Sequence, residues 1–269
     1  METPALQIDR VEGDVMSVNS YLVHGPDGIV VVDAQLTVSD ARKVRAAVDN
    51  TGKPLAGVVV THAHPDHYAG AAILLAGLEV PLVSTQAVAG IIRRDDATKN
   101  DVVGPMMGQE WPEVRRFPDH LVASGDAIEL GGIRLVAEDM GPGESPADSV
   151  WSIGDHSLFI GDLAYHGMHA YLADGFGREW LQTLRRLDEM LPADAVLYVG
   201  HGEPAGKELL DGQRRYVETF LAAVDEYRDE PEAARQLAVV AWMHELEPSD
   251  RLQFLMELSI EPVARAHVV

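Results

Sequence analysis

Cysteine is absent from this chain of 269 residues, which excludes disulfides, thiolate nucleophiles and cysteine-ligated metal centres. Basic residues are scarce: 21 Lys and Arg stand against 43 Asp and Glu, a formal net charge of −22. A surface that acidic repels polyphosphate, so nucleic acid is not an expected partner. The basic pairs Arg93-Arg94, Arg115-Arg116, Arg185-Arg186 and Arg214-Arg215 read as solvated helix or loop faces. No run approaches the roughly 20 apolar residues that span a bilayer, so no membrane partner is expected. Met1-Glu2-Thr3-Pro4 lacks the basic and apolar regions of a secretory signal, and a cytoplasmic location is the expectation. What remains is ordinary for a globular α/β protein: 46% hydrophobic and 24% charged residues, enough chain for one large domain or two small ones.

The most informative stretch is Gly57-Val58-Val59-Val60-Thr61-His62-Ala63-His64-Pro65-Asp66-His67. Continuous Val at 58–60 suits a strand covered on both faces. Pro65 stands where a helix would start, at a position whose backbone N–H is not needed. His62 and His64, two apart in extended chain, point the same way, and Asp66 and His67 leave the first helical turn toward the same space. Three imidazoles and a carboxylate delivered to one point are costly without a partner, and a metal ion is the partner they suit.

Around this cluster the chain alternates strands and helices. Strands at 18–23 and 29–32 flank Gly25-Pro26-Asp27-Gly28, a hairpin signal. Ser39 is placed to cap a helix ending near Asn50-Thr51-Gly52, and a small-residue helix is expected over 68–76. A strand at 81–84 and a short helix at 86–94 follow. Residues 95–117, with Gly104-Pro105 and Trp111-Pro112, show no clear period and read as a long irregular segment whose Met106 and Trp111 could wall a substrate site. Strands are expected at 127–130, 133–137, 149–153 and 157–160, then a helix at 178–190. A last buried strand at 195–199 runs into Gly200-His201-Gly202, echoing the earlier strand that runs into His62. The rest reads as about three helices divided by Pro231 and Pro248. His244 there reads as an ordinary helix residue.

The segment from His62 to His67 resembles the signature of the metallo-β-lactamase superfamily. Three further matches follow in that family's order: Gly141-Pro142-Gly143-Glu144-Ser145, Phe159-Ile160-Gly161-Asp162 and Val199-Gly200-His201-Gly202. The resemblance implies an α/β fold, the four-layer αββα sandwich, over residues 1–206, with a helical C-terminal extension at 207–269 packed on the same domain. It also implies a dinuclear metal site. His62 and His64 would bind one ion, Asp66, His67 and His201 the other, and Asp162 would bridge them, with a hydroxide between the ions as nucleophile. Asp66 is the candidate catalytic residue, as general base or by orienting that hydroxide.

Glu144 stands where the family usually has histidine. It ligates directly, or turns away and leaves one site weak, or yields its place to His166 or His169. As a ligand it would make the centre less positive and would admit Mn or Fe beside the expected pair of Zn ions. The implied function is hydrolysis of a small ester, lactone, thioester or amide, with an apolar wall from Met106, Trp111, Tyr165 and Phe176. Two alternatives remain at this point: a mononuclear iron-dependent oxygenase or redox protein on the same fold, and a non-catalytic ligand-binding member. The expected partner is a small-molecule substrate, with a homodimer through the helical tail left open.

Overall fold

Short β-branched runs separated by turn residues build two six-stranded sheets in the computed structural model, which describes residues 6–266. Met1-Glu2-Thr3-Pro4, read above for a leader, lies outside them. The first sheet carries β1 (Ile8–Glu12), β2 (Asn19–His24), β3 (Ile29–Val32), β4 (Leu55–Val59), β5 (Leu82–Thr85) and β6 (His120–Val122), side by side in that order. The second holds β7 (Ala127–Leu130), β8 (Ile133–Gly141), β9 (Asp148–Ile153), β10 (Ser157–Tyr165), β11 (Val196–His201) and β12 (Ala205–Gly206), ordered β12-β11-β10-β9-β8-β7. Antiparallel hairpins form the start of each sheet, and parallel pairing begins at β3–β4 in the first and occurs at β10–β11 in the second.

The sheets face each other across Val30, Val32, Val59, Val83, Trp151 and Phe159, all buried. The other face of the first sheet is covered by α1 (Val38–Asn50), α3 (Ala71–Leu74) and α4 (Gln86–Met107), through Val44, Val48, Leu74, Val88 and Ile92. The other face of the second sheet is covered by α5 (Gly177–Met190), α6 (Leu209–Glu226), α7 (Glu232–Leu246) and α8 (Gln253–Ala266), which share one continuous core with β9, β10 and β11. This is the αββα sandwich. The three tail helices are joined to that core through Phe220, Val239, Met243, Met256 and Ile260, each buried. Among the described residues, no helix is long and apolar enough to cross a membrane.

The expected hairpin at 25–28 closes with the Gly25 N–H on the Gly28 carbonyl. Its tip meets the turn of the facing sheet, where Gly131 and Gly132 both take positive φ, +57° and +75°, a conformation that favours glycine at each position.

Several boundaries differ from expectation for physical reasons. Thr37, not Ser39, caps α1, its hydroxyl accepting from the Asp40 N–H. The helix expected over 68–76 is broken into α2 (Pro65–Tyr68) and α3, with Gly70 between them. The helix expected to stop at Arg94 instead runs as α4 to Met107, so most of the supposed irregular segment is regular. Pro105 sits in its last turn, where the missing N–H forfeits a single intrahelical bond. Strand β10 runs five residues past Ile160. It shifts register against β11 on either side of Gly161, which has φ +53°.

Candidate metal centre

Four chain segments meet at one edge of the sandwich. The turn after β4 and helix α2 bring His62, His64, Asp66 and His67; the loop from β8 to β9 brings Glu144; the register shift in β10 turns Asp162 inward; the end of β11 brings His201. All seven predicted site residues are buried, and their donor atoms gather into two groups. The first is His62, His64 and Glu144, with Glu144 Oε2 at 3.5 Å from His62 Nε2 and 2.8 Å from His64 Nδ1. The second is Asp66, His67, Asp162 and His201. There His67 Nε2 lies 3.6 Å from Asp66 and 3.4 Å from Asp162, and His201 Nε2 lies 3.3 Å from Asp66 and 3.2 Å from Asp162. Asp162 also comes within 3.9 Å of His62 Nε2, which places it between the groups.

These atoms approach without bonding one another. His62 Nε2, His67 Nε2, His201 Nε2, Glu144 Oε2 and Asp162 Oδ1 are buried and have no hydrogen-bond partner. Orphaned polar atoms are costly, and so many converging on one space is the pattern of a ligand set. Spacings of 3.2–3.6 Å within the second group match the edge of a tetrahedron with arms of about 2.0–2.1 Å, which is about 3.3–3.4 Å. Among the described residues no Lys or Arg pairs with Asp66, Asp162 or Glu144; their only ionic partners are imidazoles. The donor set therefore fits divalent cations, which would supply the fixed positive charge that no Lys or Arg provides there.

The opposite ring atoms are held from behind. Asp33 accepts from His67 Nδ1 at 2.8 Å and also takes the N–H and hydroxyl of Thr61. Thr61 Oγ1 in turn meets His62 Nδ1 at 3.1 Å. Asp174 lies 3.0 Å from His64 Nε2. The Tyr165 hydroxyl donates to Asp162 at 2.8 Å and lies 3.1 Å from Glu144, while its ring stacks on His201 at 5.0 Å. The hydrogen bonds fix which nitrogen of His62, His64 and His67 faces the centre.

Burial and crowding set the electrostatics. Burial pushes the Glu144 carboxyl up to about 7, against the pull of His64. Burial works against charge on His67, yet Asp162, Asp33 and Asp66 hold its pKa well above the usual imidazole value. Asp162 goes the other way: burial opposes its ionisation, but His201 and His67 keep it well below the carboxylate range. Gly200 is required by close approach, because a Cβ there would run into Asp162 Oδ1 and lie 2.7 Å from His67 Cε1.

The centre opens into a cavity of about 210 Å³ whose lining includes His64, Asp66, Glu144, Asp162 and Tyr165. Met106 and Tyr165 are on its wall as expected, whereas Trp111 and Phe176 are not. Trp111 packs behind the end of α4 against Leu36 and Ala69, and Phe176 sits at the start of α5. His166 and His169 do not replace Glu144. His166 is exposed and bonds the Glu203 carbonyl, and His169 is buried against Tyr216. His244 stands beside His169, ring centroids 5.5 Å apart, and bonds Gln253.

Sequence reasoning missed Asp33 and Asp174. Asp33 carries a signal: a lone carboxylate ending the Val-rich strand that pairs in parallel with the histidine strand. Asp174 carries none, since 110 residues separate it from His64.

A family model described as the metallo-beta-lactamase superfamily matches residues 13–202. A hydroxyacylglutathione hydrolase of Methylobacillus flagellatus is 26% identical over 249 residues, 92% of this chain and 82% of that protein. Among solved structures, a beta-lactamase domain protein from Burkholderia ambifaria superposes with a TM-score of 0.71 at 19% identity, covering 97% of this chain and 86% of that one. A metallo-beta-lactamase family protein from Thermus thermophilus gives 0.70 at 20% identity, over 98% and 94%.

Proposed function

The chain belongs to the metallo-β-lactamase superfamily and is a metal-dependent hydrolase; from that premise we propose that it cleaves a small carbonyl substrate, an ester, lactone, thioester or amide. In this reading His62, His64 and Glu144 would hold one divalent ion and Asp66, His67 and His201 a second, with the Asp162 carboxylate lying between the two groups. Zinc suits the imidazole-rich set, and the Glu144 carboxylate widens the choice to manganese or iron. Bound ions supply Lewis acidity toward the carbonyl oxygen and acidify a water molecule.

The protein's own side chains do the positioning. Asp33, Thr61 and Asp174 lock His67, His62 and His64 in the tautomers that face the centre. Asp66 is the most open carboxylate of the set, its side chain 13% exposed, and it lines the cavity. It accepts a hydrogen bond from the attacking water and orients it. Tyr165, bonded to both Asp162 and Glu144, keeps the two halves of the centre in register. The observation that carries the proposal is the convergence of unpartnered, buried donor atoms on one wall of an open cavity.

A second reading rests on the make-up of the first group. Two imidazoles and one carboxylate are the ligand composition that non-haem iron(II) oxygenases use, and His62, His64 and Glu144 supply it. Metal content of protein purified without added metal separates the two. The hydrolase reading expects two ions in the wild type, one in Glu144→Ala, and turnover of at least one of a panel of esters, lactones, thioesters and amides. A single iron with oxygen consumption and no hydrolysis would overturn it.

A further inference from the structure

The cavity beside the centre has walls quite unlike the centre itself. One wall is a face of α4, where Lys99, Val102, Val103, Met106 and Met107 fall at helical spacing. A second part of the lining is the start of α8, with Phe254, Leu255 and Leu258; Met16 and Leu36 complete the apolar lining. Val102, Met106, Phe254 and Leu258 are among the exposed large hydrophobic residues, at 59%, 65%, 43% and 54%. Apolar side chains left open on both lips of one slot mark a binding groove more often than chance exposure. The slot is continuous with His64, Asp66, Glu144 and Asp162, so whatever lies in it presents its other end to those residues.

We propose that this slot between α4 and α8 binds the unbranched apolar acyl chain of the substrate, which makes the protein an esterase or lactonase for medium-chain acyl groups. The proposal rests on the hydrolase reading above. Hydrolysis adds water across the acyl bond: the water oxygen joins the acyl carbon, the bond to the leaving oxygen breaks, and the proton passes to that oxygen. The carboxylic acid keeps the chain that the slot holds. Lys99 is the one Lys or Arg among the described lining residues, against a net charge of −22 for the whole chain. A glutathione thioester, as named for the Methylobacillus flagellatus relative, brings two peptide carboxylates that this slot is poorly equipped to receive. An alkyl chain asks only for the apolar walls that are there.

The test is a series of 4-nitrophenyl esters from acetyl to decanoyl with the zinc-loaded full-length protein, paired with calorimetric titration of butyrate and decanoate into the same zinc-loaded protein. The expected result is a rise in kcat/KM of about two- to fourfold per added methylene until the slot is full. Decanoate should bind more tightly than butyrate. Val102→Glu and Leu258→Glu replace exposed side chains, so the fold should tolerate them, and both should flatten the chain-length dependence. Equal rates for acetyl and octanoyl esters overturn the proposal, as does an unchanged slope in the two variants or a glutathione thioester cleaved faster than any acyl ester. A dimer that dissociates in Leu258→Glu, with no chain-length dependence, would make this face a contact between copies and overturn it too. If no ester, lactone, thioester or amide of the panel turns over yet decanoate binds selectively and Leu258→Glu abolishes the selectivity, the slot stands and the hydrolase reading falls.

Discussion

At the scale of single residues, two side chains outside the ligand set have measurable jobs. Asp174 reaches His64 from a loop far along the chain. Its partner Tyr171, 3.3 Å away, lines the cavity. Asp174→Asn should lower metal affinity by about 10- to 100-fold, read by competition with a chelating dye, with little change in melting temperature of the metal-free protein. Gly200→Ala is the harsher change. Its methyl group falls where Asp162 lies against His67, so loss of at least one ion is expected by elemental analysis. His169 makes a pH prediction away from the centre. Burial, reinforced by the neighbouring His244 ring, holds its pKa below 6.5. Between that lowered value and 6.5 the unfolded chain binds the proton and the folded chain does not, so stability is full above pH 6.5 and declines as the pH falls. His169→Asn keeps an acceptor for Tyr216 and should reduce the loss of melting temperature between pH 7 and pH 5.

At the scale of elements, the helices decide what the sequence could and could not reveal. The histidine strand, the Glu144 loop, the Asp162 strand and the His201 strand were legible because chemistry and periodicity coincide at each of them. Helix α4 was not. Gly104 and Pro105 look like a break, yet both fall in the last turn, where the helix has few bonds left to lose. Misplacing α4 hid the regular spacing of Lys99, Val102, Val103, Met106 and Met107, which as a helical face would have announced the cavity wall. The role of α8 was out of reach for another reason. Phe254 and Leu258 belong to the site only because the tail folds back across about 190 residues of chain, and no local pattern encodes that return. Asp174 is the same case in one residue. The 166–176 loop that presents it is pinned by tail helices, with His169 N–H on the Arg251 carbonyl and Leu172 N–H on Ser259 Oγ.

At the scale of the whole molecule, the proposed helical extension from residue 207 onward is integral to the core. Removing everything after residue 228 would strip Val239, Met243, Met256, Ile260 and Val263 from it, all buried. At about 1.5–3 kcal/mol each, their burial is comparable to the roughly 5–15 kcal/mol that holds a typical domain folded. The truncated chain should lose its cooperative melting transition and aggregate in light scattering; a sharp transition within a few degrees of the full chain would make the tail a separate unit.

The donors are also divided between the two sheets. His62, His64, Asp66 and His67 follow strands of the first, and Glu144, Asp162 and His201 belong to the second. The chain crosses from one to the other once, through the exposed residues 123–126. An ion held across that divide would act as a clasp: its full donor set exists only when both halves are docked, so binding would favour docking by mass action. A chain cut within 123–126 should therefore reassemble from its two fragments more tightly in zinc than in chelator, so that fragment complementation would report the metal without any substrate.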